Sequence, residues 1–251
     1  MKKGLLILLC LPIIGLSQNF TINPYLQNAN PNSITIMWEY SDWDVSYVEW
    51  GNTTALGNID STTFEITNAP ACIFTAKLIG LQANTKYYYQ VISGNSISIM
   101  FDFYTPANNA DEKSINIVAM SDMQTDGNNP TKFTEIINDG IIDYVQNNYG
   151  GNTNENLDMI LIPGDLVNTG TNYSHWKDEF FAQSEPLFST VPFYPVLGNH
   201  EANANLYFQS TSPTINNNTI RYSSGHGLYL NSASPNIANN TIADSGQDGI
   251  Y

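Results

Sequence analysis

The sequence predicts a multidomain chain: a β-sandwich, then an incomplete α/β layer, then about two rungs of a repeating β-structure. Three observations lead there. Apolar residues alternate with period two through residues 19–106. A strand–helix–strand–helix–strand pattern follows, and a 22-residue self-similarity closes the sequence.

At the amino end, Lys2 and Lys3 precede an apolar run from Leu5 to Leu16, and Gly15-Leu16-Ser17 supplies small residues for cleavage. Residues 1–17 therefore read as an export signal, too short and wrongly flanked to span a membrane, which places the mature chain outside the cytoplasm. Cys10 sits within the apolar run behind Leu8 and Leu9, where a lipid-attachment signal needs small residues. Cys72 is then the one remaining thiol, and it makes no disulfide within the chain. Only 8 Lys and Arg face 23 Asp and Glu, for a net charge of −15. So acidic a surface repels nucleic acid and anionic membranes. It handles phosphate esters only where bound cations supply local positive charge.

The sandwich is expected over residues 18–107. Ile34, Ile36 and Trp38 alternate with Thr35, Met37 and Glu39, the period of a half-buried strand. Tyr87, Tyr89 and Val91 repeat it, as do Ile97, Ile99, Phe101 and Phe103. Residues 113–209 change period. Ile115–Ser121 and Leu157–Ile162 are largely apolar runs, the second expected to be buried on both faces. Asn129 and Pro130 suit the cap and first turn of a helix, with Phe133, Ile137, Ile141 and Tyr144 on one face. A second helix is expected over Tyr173–Gln183. Val191–Leu197 follows as a strand marred by two prolines. Over residues 210–251, Ser212-Pro213-Thr214-Ile215-Asn216-Asn217-Asn218-Thr219-Ile220 recurs as Ser234-Pro235-Asn236-Ile237-Ala238-Asn239-Asn240-Thr241-Ile242. A fixed period of this kind stacks Ile on Ile and Asn on Asn, as in a solenoid. The stretch Asn205–Ser210 looks like a viral-protease cleavage tag without its leading Glu; a native aromatic run is the better reading, and a junction near Gln209 is the alternative.

Ligand sites of open α/β sheets lie beyond the carboxyl ends of strands. Here three strands end in Ser121-Asp122-Met123-Gln124, in Gly164-Asp165 and in Gly198-Asn199-His200-Glu201. These offer oxygen and imidazole donors, suited to Mg, Mn, Fe or Zn.

In that order and spacing, the three motifs resemble the calcineurin-like metallophosphoesterases. Pro24-Tyr25-Leu26-Gln27, Ile34-Thr35-Ile36-Met37-Trp38 and Thr85-Lys86-Tyr87-Tyr88-Tyr89-Gln90-Val91 resemble the fibronectin-III-like domain that precedes purple acid phosphatase catalytic domains. The closing repeats resemble a parallel β-helix. The phosphoesterase resemblance implies two metal ions, of unknown identity. Asp122 and Gln124 would bind the first, Asp165 would bridge, and Asn199 would bind the second. Two such ions sit about 3.5–4 Å apart and activate a water for in-line attack. His200 would be the catalytic donor to the phosphate, and Glu201 would orient His200. The sequence departs from the family in three places. Asn168 stands where purple acid phosphatases carry an iron-binding tyrosine, Gln124 replaces a better ligand, and the later histidine motifs are missing. His226 aligns with Asp248 in the repeat and is read as an outward loop residue; His175 is read as surface or packing.

Two functions follow from these features. One is a secreted metal-dependent phosphoesterase with a phosphate-ester substrate and weak turnover, without nucleic-acid partners or membrane insertion. The other is a non-catalytic surface module contacting polysaccharide through its rungs, or a fusion fragment without function.

Overall fold

The computed structural model describes residues 19–68, 70–198, 200–201, 204–209, 214–216, 219–221, 226–231, 234–243 and 248–250. The expected export signal, 1–17, lies outside them. Among the described residues no helix is long and apolar enough to cross a membrane.

Nine strands build the first domain: β1 (Phe20–Asn30), β2 (Ser33–Tyr40), β3 (Ser46–Gly51), β4 (Asn58–Ser61), β5 (Thr63–Asn68), β6 (Ala71–Ile79), β7 (Lys86–Ser93), β8 (Ser96–Ile97) and β9 (Phe101–Tyr104). One antiparallel sheet has the order β1-β2-β6-β5, the other β4-β3-β7-β8 with β9 also on β7. Their facing sides share one core, in which Trp38 stacks on Phe74 at 5.8 Å and donates its indole N–H to Ser93 Oγ at 2.9 Å. The expected alternation of Ile97 and Ile99 with Phe101 and Phe103 breaks in the middle. Ser98 exchanges hydrogen bonds with Val91, ending β8, and leaves Ile97 and Ile99 exposed. Alternation resumes at Phe101 and Phe103, which are buried.

β2 departs from half-burial more tellingly. Thr35 and Glu39 on its second face are buried too. That face belongs to the join with the second domain: Ile22 and Tyr25 of β1 sit in the second domain's core, and Met37 packs against it. The Tyr25 ring lies 4.8 Å from Phe181 and 5.8 Å from Phe193. Polar contacts complete the join. Buried Glu39 accepts hydrogen bonds from the hydroxyls of Thr21, Thr67 and Tyr173. Tyr89 donates to the Ser189 carbonyl at 2.7 Å, and Gln27 donates to that of Phe193 at 2.8 Å.

The second domain centres on a parallel sheet of β10 (Ile117–Ala119), β11 (Met159–Ile162) and β12 (Phe193–Pro195), in that order. Pro192 and Pro195 flank or end β12 rather than interrupt it, which removes the objection to a strand here; the Pro192 carbonyl accepts from Ile160 N–H at 3.0 Å. Burial of β11 is one-sided, correcting the sequence expectation. Ile160 and Ile162 are buried and Leu161 is 39% exposed, beside Ile117 and Val196, which are also exposed.

Helices cover the other face. The first starts at Lys132, later than expected, because Asn129 turns back to bond Asp126 and Thr131 takes the capping position. Its middle stretch, Ile136–Asp143, winds in wider π turns between Lys132–Glu135 and Tyr144–Tyr149. Wider turns hold more residues per revolution. The buried stripe therefore runs Phe133, Ile137, Ile141, Val145, and Tyr144 is exposed. A short helix at Thr153–Asn156, closed by an Asn152/Glu155 capping box, has no counterpart among the sequence expectations. The second long helix opens at Tyr173, where Asn172 accepts from Ser174 N–H. It continues past Gln183 to Phe188, driven by burial of Leu187 and Phe188.

Among the described residues six short strands follow: β13 (Ala204–Gln209), β14 (Thr214–Asn216), β15 (Thr219–Arg221), β16 (His226–Asn231), β17 (Asn236–Ala238) and β18 (Thr241–Ala243). They pair in parallel as β13-β16, β14-β17 and β15-β18, every partner 22 residues apart. Ile215 faces Ile237 and Ile220 faces Ile242, while Asn240 Nδ2 donates to the Ile215 carbonyl at 2.6 Å. The tag-like segment is part of this pattern. Leu206, Tyr207 and Phe208 are in register with Leu228, Tyr229 and Leu230, and Gln209, near the alternative junction, is the last residue of this strand. His226 opens β16 instead of lying in a loop.

Candidate functional site

The carboxyl ends of β10, β11 and β12 are tied to one another by main-chain and side-chain bonds. Asp122 N–H donates to the Gly164 carbonyl at 3.4 Å, and Met123 N–H to the Asp165 carbonyl at 3.1 Å. The Asp165 carboxylate then accepts the His200 N–H at 3.1 Å. Asp122, Asp165 and His200 are thereby brought to one edge of the sheet. Asn199, the fourth expected residue, lies outside the described residues. Both aspartates have left-handed backbone, with φ of 57° at Asp122 and 52° at Asp165. Such geometry is uncommon outside glycine and costs on the order of 1 kcal/mol at each position. It is held here by close packing: a Cβ on Gly198 would lie 2.1 Å from Asp165 Oδ1.

Glu201 acts differently from the sequence expectation. Its carboxylate does not hold the His200 ring. Oε1 accepts Leu166 N–H at 2.8 Å and Val167 N–H at 2.9 Å, and Oε2 accepts Gly198 N–H at 2.7 Å. Glu201 thus pins the loop after β11 to the loop after β12. The His200 ring is held instead by the Asn168 carbonyl, 2.9 Å from Nδ1. A carbonyl only accepts, so Nδ1 carries a proton, and Nε2 can donate in turn only when the ring is doubly protonated. Asn168 also donates its N–H to Glu179 at 2.9 Å. Gly170 N–H meets the His200 carbonyl at 2.8 Å, and a Cβ there would sit 2.4 Å from Glu201 Cα. The roles of Asn168 and Gly170 in holding His200 were not foreseen. They act through main-chain atoms, which leave no side-chain signature in a sequence.

Gln124 sits beside Asp122 at a small cavity of about 120 Å³, also lined by Asp126 and Lys132. Its Oε1, an acceptor, is buried and has no hydrogen-bond partner among the described residues. Asp122 Oδ2 accepts the Ser121 hydroxyl at 2.5 Å. Asp126 is held below the usual carboxylate range by the Asn128 N–H and the Asn129 amide. Of the ligands the family resemblance implies, Asp122, Gln124 and Asp165 lie at this edge and Asn199 is outside the described residues, so the two-ion set is described only in part. Among the described residues, no three His, Cys, Asp or Glu side chains group closely enough to hold an ion. His175 lies on the second long helix, its Nδ1 buried without a hydrogen-bond partner and 3.6 Å from Glu179 Oε1.

Residues 20–105 match the family described as Purple acid Phosphatase, N-terminal domain. The "Probable inactive purple acid phosphatase 27" of Arabidopsis thaliana is 29% identical over 140 residues, covering 53% of this chain and 22% of that protein. The chain thus spans about a fifth of the length of this curated relative. Among solved structures, PhoD aligns over 74% of this chain and 40% of its own, with TM-score 0.49 and 14% identity. The sensor domain of the anti-sigma factor RsgI4 from Pseudobacteroides cellulosolvens covers 39% of this chain and 99% of its own, with TM-score 0.32 and 16% identity. Residues 115–247, more than half of the sequence, match the Calcineurin-like phosphoesterase model. The chain therefore belongs to the calcineurin-like phosphoesterases and carries a purple acid phosphatase N-terminal domain ahead of its parallel sheet.

Proposed function

We propose that this chain is an exported phosphoesterase of the purple-acid-phosphatase type that hydrolyses phosphomonoesters slowly. The observation that supports this most is the convergence of Asp122, Asp165 and His200 at the carboxyl edge of the parallel sheet, two of them on left-handed backbone. Backbone strain of this kind collects at functional sites. In the doubly protonated ring, His200 Nε2 donates to a phosphoryl oxygen, favouring the charge that builds as the ester bond breaks. Export rests on the 1–17 segment. Slow turnover rests on Gln124, a neutral amide where the family resemblance implies a better ligand, and a relative whose name reads "Probable inactive" is in line with it. The two ions implied by the family have no complete cage among the described residues, so no step is assigned to them. The closing strand pairs, 22 residues apart throughout, support two rungs of a parallel β-helix.

The test is hydrolysis of p-nitrophenyl phosphate by the whole chain with added Mn²⁺ or Zn²⁺. Slow hydrolysis is expected, lost in Asp165→Ala and reduced about 100-fold in His200→Ala. Activity that survives Asp165→Ala, or none at all in the unaltered chain, overturns the assignment.

A further inference from the structure

A larger cavity, of about 450 Å³, opens at the far end of the parallel sheet from the strand tips. Ile115 ahead of β10, Met159 opening β11 and Pro192 ahead of β12 form one side of it. The first domain supplies the other, through Asn30 at the end of β1, Pro31 after it and Tyr104 at the end of β9. Its volume falls in the range of small-molecule sites, and domain junctions are where such sites collect.

The lining selects against charge. Lys113 is its one Lys or Arg, and that ammonium already donates to Asn84 Oδ1 at 3.0 Å and lies 3.5 Å from Asp158. With Asp111 and Asp158 both present, a phosphate or carboxylate ligand meets net negative charge. The carboxylates are engaged as well: Asp158 accepts Asn116 N–H at 2.8 Å, and Asp111 accepts Asn108 N–H at 3.0 Å. A cation finds no idle carboxylate pair here.

What remains is amide and aromatic surface. Tyr104 and Tyr194 contribute rings, and Asn30, Asn108, Asn109 and Asn154 contribute groups that both donate and accept. Asn154 is the most informative. It is 7% exposed, and its Nδ2 donates to the Asp102 carbonyl at 2.9 Å and to the Asp102 carboxylate at 2.8 Å. Those two acceptors fix which way the amide faces, since a flip would set oxygen against oxygen. Asn154 Oδ1 is left buried with no partner. Buried acceptors are seldom left so; this one is closed to solvent, and a hydroxyl donor satisfies it only after the wall beside it gives way. A neutral ring with many hydroxyls matches both features, its C–H face lying on an aromatic ring and its hydroxyls bridging amides.

We propose that this cavity binds a neutral saccharide unit, at the opposite end of the sheet from Asp122, Asp165 and His200. The test uses the whole chain, titrated with maltose, cellobiose and N,N′-diacetylchitobiose by calorimetry and saturation-transfer NMR, with glucose 6-phosphate as the charged control. At least one neutral disaccharide is expected to bind saturably and the phosphorylated sugar not to compete. Ala107→Trp, which fills the lining from its half-exposed rim, should weaken binding by about tenfold or more without moving the thermal midpoint. Tyr104→Ala serves as a second variant and should weaken binding similarly. Failure of all three neutral sugars to bind overturns the inference. So does binding that neither variant weakens, which would place the sugar on another surface, such as the closing repeat.

Discussion

Glu201 is where residue identity and structural role diverge most. Its carboxylate takes three main-chain N–H groups from two loops, at 2.7–2.9 Å. Glu201→Ala strands all three donors. Charge-assisted bonds of this kind contribute about 1.5–3 kcal/mol each, so a loss on the order of 3 kcal/mol in chemical denaturation is expected. Glu201→Gln should retain part of it. An unchanged midpoint for Glu201→Ala would return the residue to a role in orienting His200 alone. Gly198→Ala tests the same packing from the other side. Its Cβ would collide with Asp165 Oδ1, and destabilisation of about 1–3 kcal/mol is expected by the same measurement. Asp122 and Asp165 were legible in the sequence because strand ends in such sheets are positions with a known use. Glu201 was legible as important but not in its role, because a carboxylate that binds backbone amides looks in sequence like one that binds a side chain.

At the level of elements, the apolar run Leu157–Ile162 overstated its burial. Length and composition told that a strand was there; they could not tell whether one face or two were covered, since that depends on what packs against it. The difference is measurable within two adjacent residues. Ile160 is fully buried and Leu161 is 39% exposed. Ile160→Ala should therefore cost about 2–5 kcal/mol, and Leu161→Ala only about 0.5 kcal/mol. Equal losses at both positions would show that the second face is covered in solution. The first long helix carries the same lesson in register. A stripe drawn for ordinary turns ends on Tyr144, whereas the wider winding of Ile136–Asp143 hands the buried position to Val145. The 22-residue repeat was the most legible element of all, since identical spacing translates directly into the parallel partners of β13 to β18.

Across the whole molecule, alternation identified which residues of β2 share a face, but not that its outward face belongs to the join with the neighbouring domain. Four tyrosines line that join. Tyr89 donates to the Ser189 carbonyl, Tyr173 donates to Glu39, Tyr194 accepts the Ala29 N–H at 3.1 Å, and Tyr25 packs on Phe181 and Phe193. Burial pushes all four phenols above their ordinary value; the Glu39 carboxylate adds to this at Tyr25 and Tyr173, and Asp102 at Tyr89. A folded-state value above the unfolded one means that the contribution is fully present below pH about 10 and is lost as pH rises through the folded values. Alkali should therefore ionise these four phenols in a second, late wave, only as the domains part, with loss of near-ultraviolet circular dichroism in step with it. Tyr89→Phe, which removes one buried bond, should bring the second wave to lower pH. A single wave near pH about 10, with the dichroism untouched, would mean that these phenols do not hold the two domains together.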